Sequence, residues 1–144
     1  QHVLIIPTLG ACLTACSTHN PIEQQGEMAA CPSSPNCVSS REQGDAFIDP
    51  FTLQEQAPQS WPNIIKLIRA MPRTEIIEQS PGYIHATASS RVFGFIDDIE
   101  LELISDGKTI DIRSASRTGY SDMGVNRERL EALRELLHEA ALIE

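Results

Sequence analysis

The first 22 of the 144 residues carry no formally charged side chain. The one apolar run among them, VLIIPTLGACL at residues 3–13, is broken by Pro7 and Gly10. It falls short of the roughly 20 apolar residues that a spanning helix needs. Positive charge is also scarce: 11 Lys and Arg against 20 Asp and Glu give a net charge of −9, which disfavours nucleic acid and anionic membrane surfaces as partners. No Gly-x-Ser-x-Gly elbow is present, so the serines at 89, 90, 114, 116 and 121 do not announce a nucleophile. No second Cys/His pair stands at metal-ligand spacing, and His19, His85 and His138 are scattered, so no metal centre and no cofactor are expected. Gly119 and Gly124 frame a loop without the pattern that cradles a phosphate.

What remains is a globular composition, 41% apolar and 22% charged, long enough for one domain. The apolar run ends in Leu13-Thr14-Ala15-Cys16, which resembles the lipobox of bacterial lipoproteins. That resemblance implies a signal peptide over residues 1–15 whose basic n-region is missing here, acylation at Cys16, and a membrane anchor. Ser17, being other than Asp, implies sorting to the outer membrane with the domain facing the periplasm. A buried apolar N-terminal element is the plainer alternative. Residues 16–30 lack periodicity and read as a flexible tether, leaving 31–144 as the single domain. Cys31 and Cys37, with prolines between them, can close a small disulfide loop in an oxidising compartment; a thiol pair or half a zinc site is the alternative.

Residues 38–59 read as an extended arm lying over the domain. Ser60 is positioned to cap a helix with Pro62 in its first turn and Ile64, Ile65, Leu67, Ile68 and Met71 on its apolar side, ending at Pro72. Four strands are predicted next, over residues 74–79, 83–90, 95–104 and 109–117, the third with Phe95, Ile99, Leu101 and Leu103 inward. Asp106-Gly107 signals a two-residue hairpin that sets Leu103 opposite Ile110, Leu101 opposite Ile112, Ile99 opposite Ser114 and Asp97 opposite Ser116. On the other face Glu100 opposes Arg113, a favourable pair, and Glu102 opposes Asp111, an unfavourable one. A helix over about residues 126–143 buries Leu130, Leu133, Leu137 and Ala140/Ala141, with Arg127 and Glu131 spaced for a surface pair. The expected fold is α+β, a four-stranded antiparallel sheet with two helices on one face, in the order α-β-β-β-β-α.

Asp97 falls in line with inward apolar residues, and a carboxylate there must find partners. The candidates are Ser116, Arg91, Tyr120, Asp122, Asn126 and Arg127, a cluster that either pins the loop to the sheet or lines a polar pocket. Asp98, Arg113 and Arg117 form an outward patch, read as solvated ion pairs or, with His85, Thr87 and Ser89, as a surface for something flat and polar. Asp97 and Asp98 point to opposite faces and cannot act as a dyad.

CPSSPNCVSS at 31–40, SRVFGFIDDIE at 90–100 and RSASRTGYSDMGVNR at 113–127 together look like the bacterial and plastid family called domain of unknown function 1499. The resemblance spans nearly all of residues 31–139, its motifs in order, and places Cys31, Cys37, Arg91, Asp97, Asp98, Arg113, Ser114, Ser116, Arg117, Tyr120, Asp122, Asn126 and Arg127 at motif positions. It implies a shared architecture and polar constellation and carries no activity. The reading is an envelope lipoprotein, held to the membrane by its anchor, whose non-enzymatic domain binds a small molecule or an envelope protein. The alternative is a hydrolase-type enzyme using Asp97 with Arg91 or Arg127 around the Tyr120 loop.

Overall fold

The central hairpin turns at Asp106. Its carboxylate accepts hydrogen bonds from the backbone N–H of Lys108 at 2.8 Å and Thr109 at 2.7 Å, and from the Thr109 hydroxyl at 2.6 Å, the local bonding that suits Asp to turns. In the computed structural model, which describes residues 26–144, this turn joins β5 (Ile96–Leu103) to β6 (Thr109–Ser116). The expected signal segment and Cys16 lie outside the described residues. The register is the expected one: Leu103 opposite Ile110, Leu101 opposite Ile112, Ile99 opposite Ser114 and Asp97 opposite Ser116. The bend is wider than a two-residue turn, because Ile104 and Thr109 still pair through the Ile104 N–H at 2.9 Å.

β3 (Thr74–Ser80) and β4 (Tyr83–Ser89) extend the sheet beyond β5. A bulge between Ile76 and Glu78 lets two consecutive isoleucines differ in fate, with Ile77 half exposed. The sheet has six strands rather than four. β1 (Cys37–Ser39) and β2 (Phe51–Thr52) both pair antiparallel to the outer edge of β6, so the element order is β-β-α-β-β-β-β-α. Strands of three and two residues are too short to show an alternation, which is why they read as an arm.

Helix α1 (Ala57–Ala70) begins a turn earlier than the Ser60 cap implies. Pro58 supplies the fixed φ favoured in a first turn, Ser60 is buried, and Pro62 stands inside the helix, where its missing N–H forfeits one helix bond. Helix α2 (Val125–Glu139) buries Leu130, Leu133 and Leu137 but stops before Ala140 and Ala141, which are exposed. The Arg127–Glu131 pair does not form. Arg127 donates to the carbonyls of Asp45 at 2.8 Å and Phe47 at 2.6 Å, and Glu131 pairs with Arg134. Both helices pack on one sheet face, over Ile84, Ala86, Ile99, Leu101, Ile110 and Ile112. Phe95 is exposed, beyond the start of β5. No helix among the described residues is long and apolar enough to cross a membrane.

The other face is also covered. Residues 26–30, read as the end of a tether, cross it. Met28 N–H donates to Glu102 at 2.8 Å, Ala29 N–H to Glu100 at 3.2 Å, and Arg113 to the Ala30 carbonyl at 3.3 Å. The Cys31–Cys37 disulfide is formed and ties this strap to β1. Closing so short a loop restricts the unfolded chain by about 2 kcal/mol. Replacing both cysteines by serine is expected to lower stability by that amount in equilibrium urea unfolding, leaving the sheet's circular dichroism unchanged.

Candidate functional site

Asn126, fully buried in the first turn of α2, is the hub of the inner polar cluster. Its side-chain oxygen accepts from Ser114 at 2.6 Å and from Arg129 at 2.8 Å. Its amide nitrogen donates to Asp122 at 2.8 Å, the Ser116 hydroxyl at 2.9 Å and the Asn36 carbonyl at 3.1 Å. Arg129 reaches on to Asp97 at 2.6 Å. Asp122 also accepts the backbone N–H groups of Gly124 and Asn126, both at 3.0 Å, so it orders the loop into the helix. Burial pushes the Asp122 carboxyl up, but these bonds outweigh it and hold the group below the usual carboxylate range.

Four of the predicted residues, Asp97, Ser116, Asp122 and Asn126, are therefore brought together. Arg91 and Tyr120 are exposed, and Arg127 is spent on the loop before β2. The partner Asp97 needed is Arg129, which sequence reasoning missed. The signal was its spacing, three residues beyond Asn126 and so on the same helix face. Chemically the cluster is closed on itself: the Ser114 and Ser116 hydroxyls face an amide and a guanidinium rather than a general base.

The outer patch divides. Arg113 is buried, its guanidinium bonded to Glu100, whose other oxygen accepts from the Tyr83 hydroxyl at 2.9 Å. This pair is no solvated one, because the strap of residues 26–30 lies over it. Arg117, by contrast, sits at the surface and grips Asp98 at 2.7 and 3.0 Å, with His85 at 2.8 Å. Thr87 and Ser89 line a separate polar concavity of about 360 Å³ with Arg73 and Glu75. Arg41 donates to Asp111 at 2.7 Å and meets Glu102 at 3.2 Å, bridging the two opposed carboxylates and offsetting their repulsion.

Burial raises the Asp98 pKa, but hydrogen bonds from His85 and Arg117 and their charges overcome it, leaving the carboxyl well below the ordinary range. A depressed folded pKa contributes stability that is complete above the unfolded value, near 3.9, and is lost as pH falls below it. Stability measured in urea from about pH 5 down to pH 2 should therefore decline less steeply in Asp98→Asn than in the parent chain.

At the opposite end of the sheet from Asp97 lies an apolar groove of about 680 Å³. The start of α1 supplies Gln56, Ala57, Pro58, Trp61, Pro62 and Ile65; the β3–β4 turn supplies Gln79, Ser80, Pro81 and Gly82; the hairpin end supplies Leu103 and Gly107. No lining side chain is charged. Pro58, Trp61, Pro62 and Ile65 recur at i, i+3, i+4 and i+7, a second apolar stripe beside the core stripe, and this signal was legible in the sequence. The Trp61 indole nitrogen is buried with no hydrogen-bond partner among the described residues. No group of His, Cys, Asp and Glu among those residues could hold a metal ion.

A family model described as Protein of unknown function (DUF1499) matches residues 27–137. No curated protein and no solved structure matches the chain.

Proposed function

Since the chain belongs to the DUF1499 family, whose description names no activity, we propose from its geometry that the domain is a non-enzymatic binding module. It takes an uncharged, apolar small molecule into the Trp61 groove and is carried by an envelope lipoprotein anchored through Cys16 in the outer membrane, facing the periplasm. The carrying observation is the groove itself, a concavity of about 680 Å³ with no charged lining, within the roughly 300–1,000 Å³ of small-molecule sites and apolar as they are. The Leu-Thr-Ala-Cys ending supports the anchor, and a disulfide suits an oxidising compartment. The hydrolase alternative joined Asp97 to Arg91 or Arg127, whereas Arg129 holds Asp97 and Arg127 holds the loop before β2.

Titrating the full chain with the neutral dye phenylnaphthylamine tests this reading. Trp61 is the sole tryptophan, so its emission reports occupancy directly. Saturable binding of one dye per chain is expected, weakened roughly tenfold or more by Ile65→Glu, with thermal unfolding showing that variant folded. Binding that never saturates, or that ignores the Ile65 change, counts against the groove.

One observation favours a second reading, an envelope protein as partner. Val92, Phe93 and Phe95 stand exposed on the β4–β5 loop, with Tyr120 and Met123 exposed on the loop before α2. These two loops share the sheet end away from the groove, so a partner there would be lost in Phe93→Ser while dye binding persists.

A further inference from the structure

The polar concavity at the loop end of the sheet belongs neither to the groove nor to the inner cluster. Its volume is about 360 Å³, and Arg73, Thr74, Glu75, Thr87, Ser89 and Ile96 line it. Small-molecule sites run from roughly 300 to 1,000 Å³. Arg73 donates from Nε to the Ser89 carbonyl at 3.1 Å, its only side-chain hydrogen bond among the described residues. Among those residues no ion pair joins Arg73 to Glu75, so a cation and an anion line one cavity without meeting. Asp98, opposite Thr87, is already held by Arg117 and His85. Arg73 also takes a left-handed backbone, φ 54°, which glycine adopts freely and arginine does not.

The loop from β4 to β5 rises from the rim of this concavity, between Ser89 and Ile96. Ser90 and Phe95 clasp its base: the Ser90 N–H donates to the Phe95 carbonyl at 2.8 Å, and the Phe95 N–H to the Ser90 hydroxyl at 3.0 Å. Beyond the clasp Val92 and Phe93 are 78% and 76% exposed, and on the loop before α2 Tyr120 and Met123 are 78% and 92% exposed. Side chains so bare protrude singly, whereas the core of a protein interface is a closely packed, shape-matched patch. A lipid surface is fluid and receives such side chains without a matching shape. Charge agrees. Arg91 at the tip is exposed, while Asp122 turns its carboxylate onto Gly124 and Asn126. The two loops thus present an outward cation and no outward carboxylate, and a long arginine stem lets that cation reach headgroup phosphates.

We infer that this end of the domain seats on a phospholipid surface, with Val92, Phe93, Tyr120 and Met123 at the acyl boundary and one phosphoethanolamine headgroup in the concavity. The Arg73 fork takes the phosphate. The Glu75 carboxylate, with the Thr87 and Ser89 hydroxyls, accepts from the primary ammonium. Phosphocholine has no ammonium N–H to donate, and the lining holds no aromatic cage of the kind that quaternary ammonium groups favour. An anionic headgroup leaves Glu75 unmatched and meets a chain of net charge −9. The Trp61 groove, at the other end of the sheet, takes no part in this contact.

Sedimentation of the full chain with vesicles tests this contact, every form carrying Cys16→Ala so that no acyl group at that position contributes. The vesicles are phosphatidylcholine alone, or phosphatidylcholine with added phosphatidylethanolamine or phosphatidylglycerol. Binding roughly tenfold tighter with phosphatidylethanolamine than with either other composition is expected. Arg73→Gly suits the left-handed backbone, so it should remain folded in thermal unfolding and bind all three compositions alike. Glu75→Gln, equally folded, should lose the same preference. Phe93→Ser should bind every composition at least about tenfold more weakly while unfolding at the parent temperature. Equal binding of the parent to all three compositions, tightest binding to phosphatidylglycerol, or a preference that survives Arg73→Gly overturns the headgroup site. Undiminished binding of Phe93→Ser overturns the seating of the tips. Glycerophosphoethanolamine bound from solution as tightly as the vesicles overturns the membrane as the source. Absence of binding to any vesicle overturns the whole contact and leaves the loop end to a protein partner.

Discussion

Arg129→Met should cost about 3–5 kcal/mol of stability in equilibrium urea unfolding, because it strands a buried carboxylate. Asp97 is 5% exposed and Arg129 is its ion-pair partner at 2.6 Å. Methionine fills much of the arginine's volume, so the loss is chiefly electrostatic. The same substitution takes donors from Ser114 and Asn126. Removing both charges together, in Asp97→Asn/Arg129→Met, is expected to recover a substantial part of the loss, since no uncompensated ion then remains. A double variant no more stable than Arg129→Met alone would show that packing, not charge, is what Arg129 contributes. Phenylnaphthylamine binding should survive in either variant, because the pair lies at the sheet end away from the groove.

Arg113→Met is expected to be comparably damaging, again about 3–5 kcal/mol, but with a different local signature. Glu100 is 3% exposed and would keep only the Tyr83 hydroxyl and the Ala29 N–H. The guanidinium also holds the Ala30 carbonyl, so hydrogen exchange at Met28 and Ala29 should quicken well before the sheet amides respond. Protection there that matches the parent chain would mean that the strap is held by its own packing. The two ion pairs share no partner, so their losses should add to within about 0.5 kcal/mol.

The long elements were readable because a half-buried strand writes its alternation into the sequence. Leu103, Leu101, Ile99, Ile110 and Ile112 place β5 and β6 in register, and Asp97 stands out because it interrupts that pattern. What was hidden came from segments without a period. Residues 26–30 have no alternation, yet Met28 is buried and the strap converts the Glu100–Arg113 pair from a surface contact into a buried one. Likewise nothing near Glu102 and Asp111 in sequence shows that Arg41 will reconcile them. Arg129 was overlooked for a plainer reason: a long cation on a helix is usually solvated, and its spacing from Asn126 marks an inward turn only once Asn126 is seen to be buried.

The short strands at the rim of β6 also decide how this molecule can meet others. β1 pairs with Ala115, Ser114 and Arg113, and β2 with Ile110 and Thr109. Between them Ser40 takes both backbone groups of Ile112, its N–H donating at 2.9 Å and its hydroxyl accepting at 3.0 Å. That border of the sheet has no run of open peptide groups left, and the opposite border is interrupted by the Ile77 bulge. Exposed strand edges are templates for pairing with another chain, and extended peptides commonly bind by adding a strand to one. Here that route is closed along β6 and broken along β3. Strand addition is therefore disfavoured at both borders, which leaves side chains as the favoured surface for recognition and guards these domains against joining sheet to sheet.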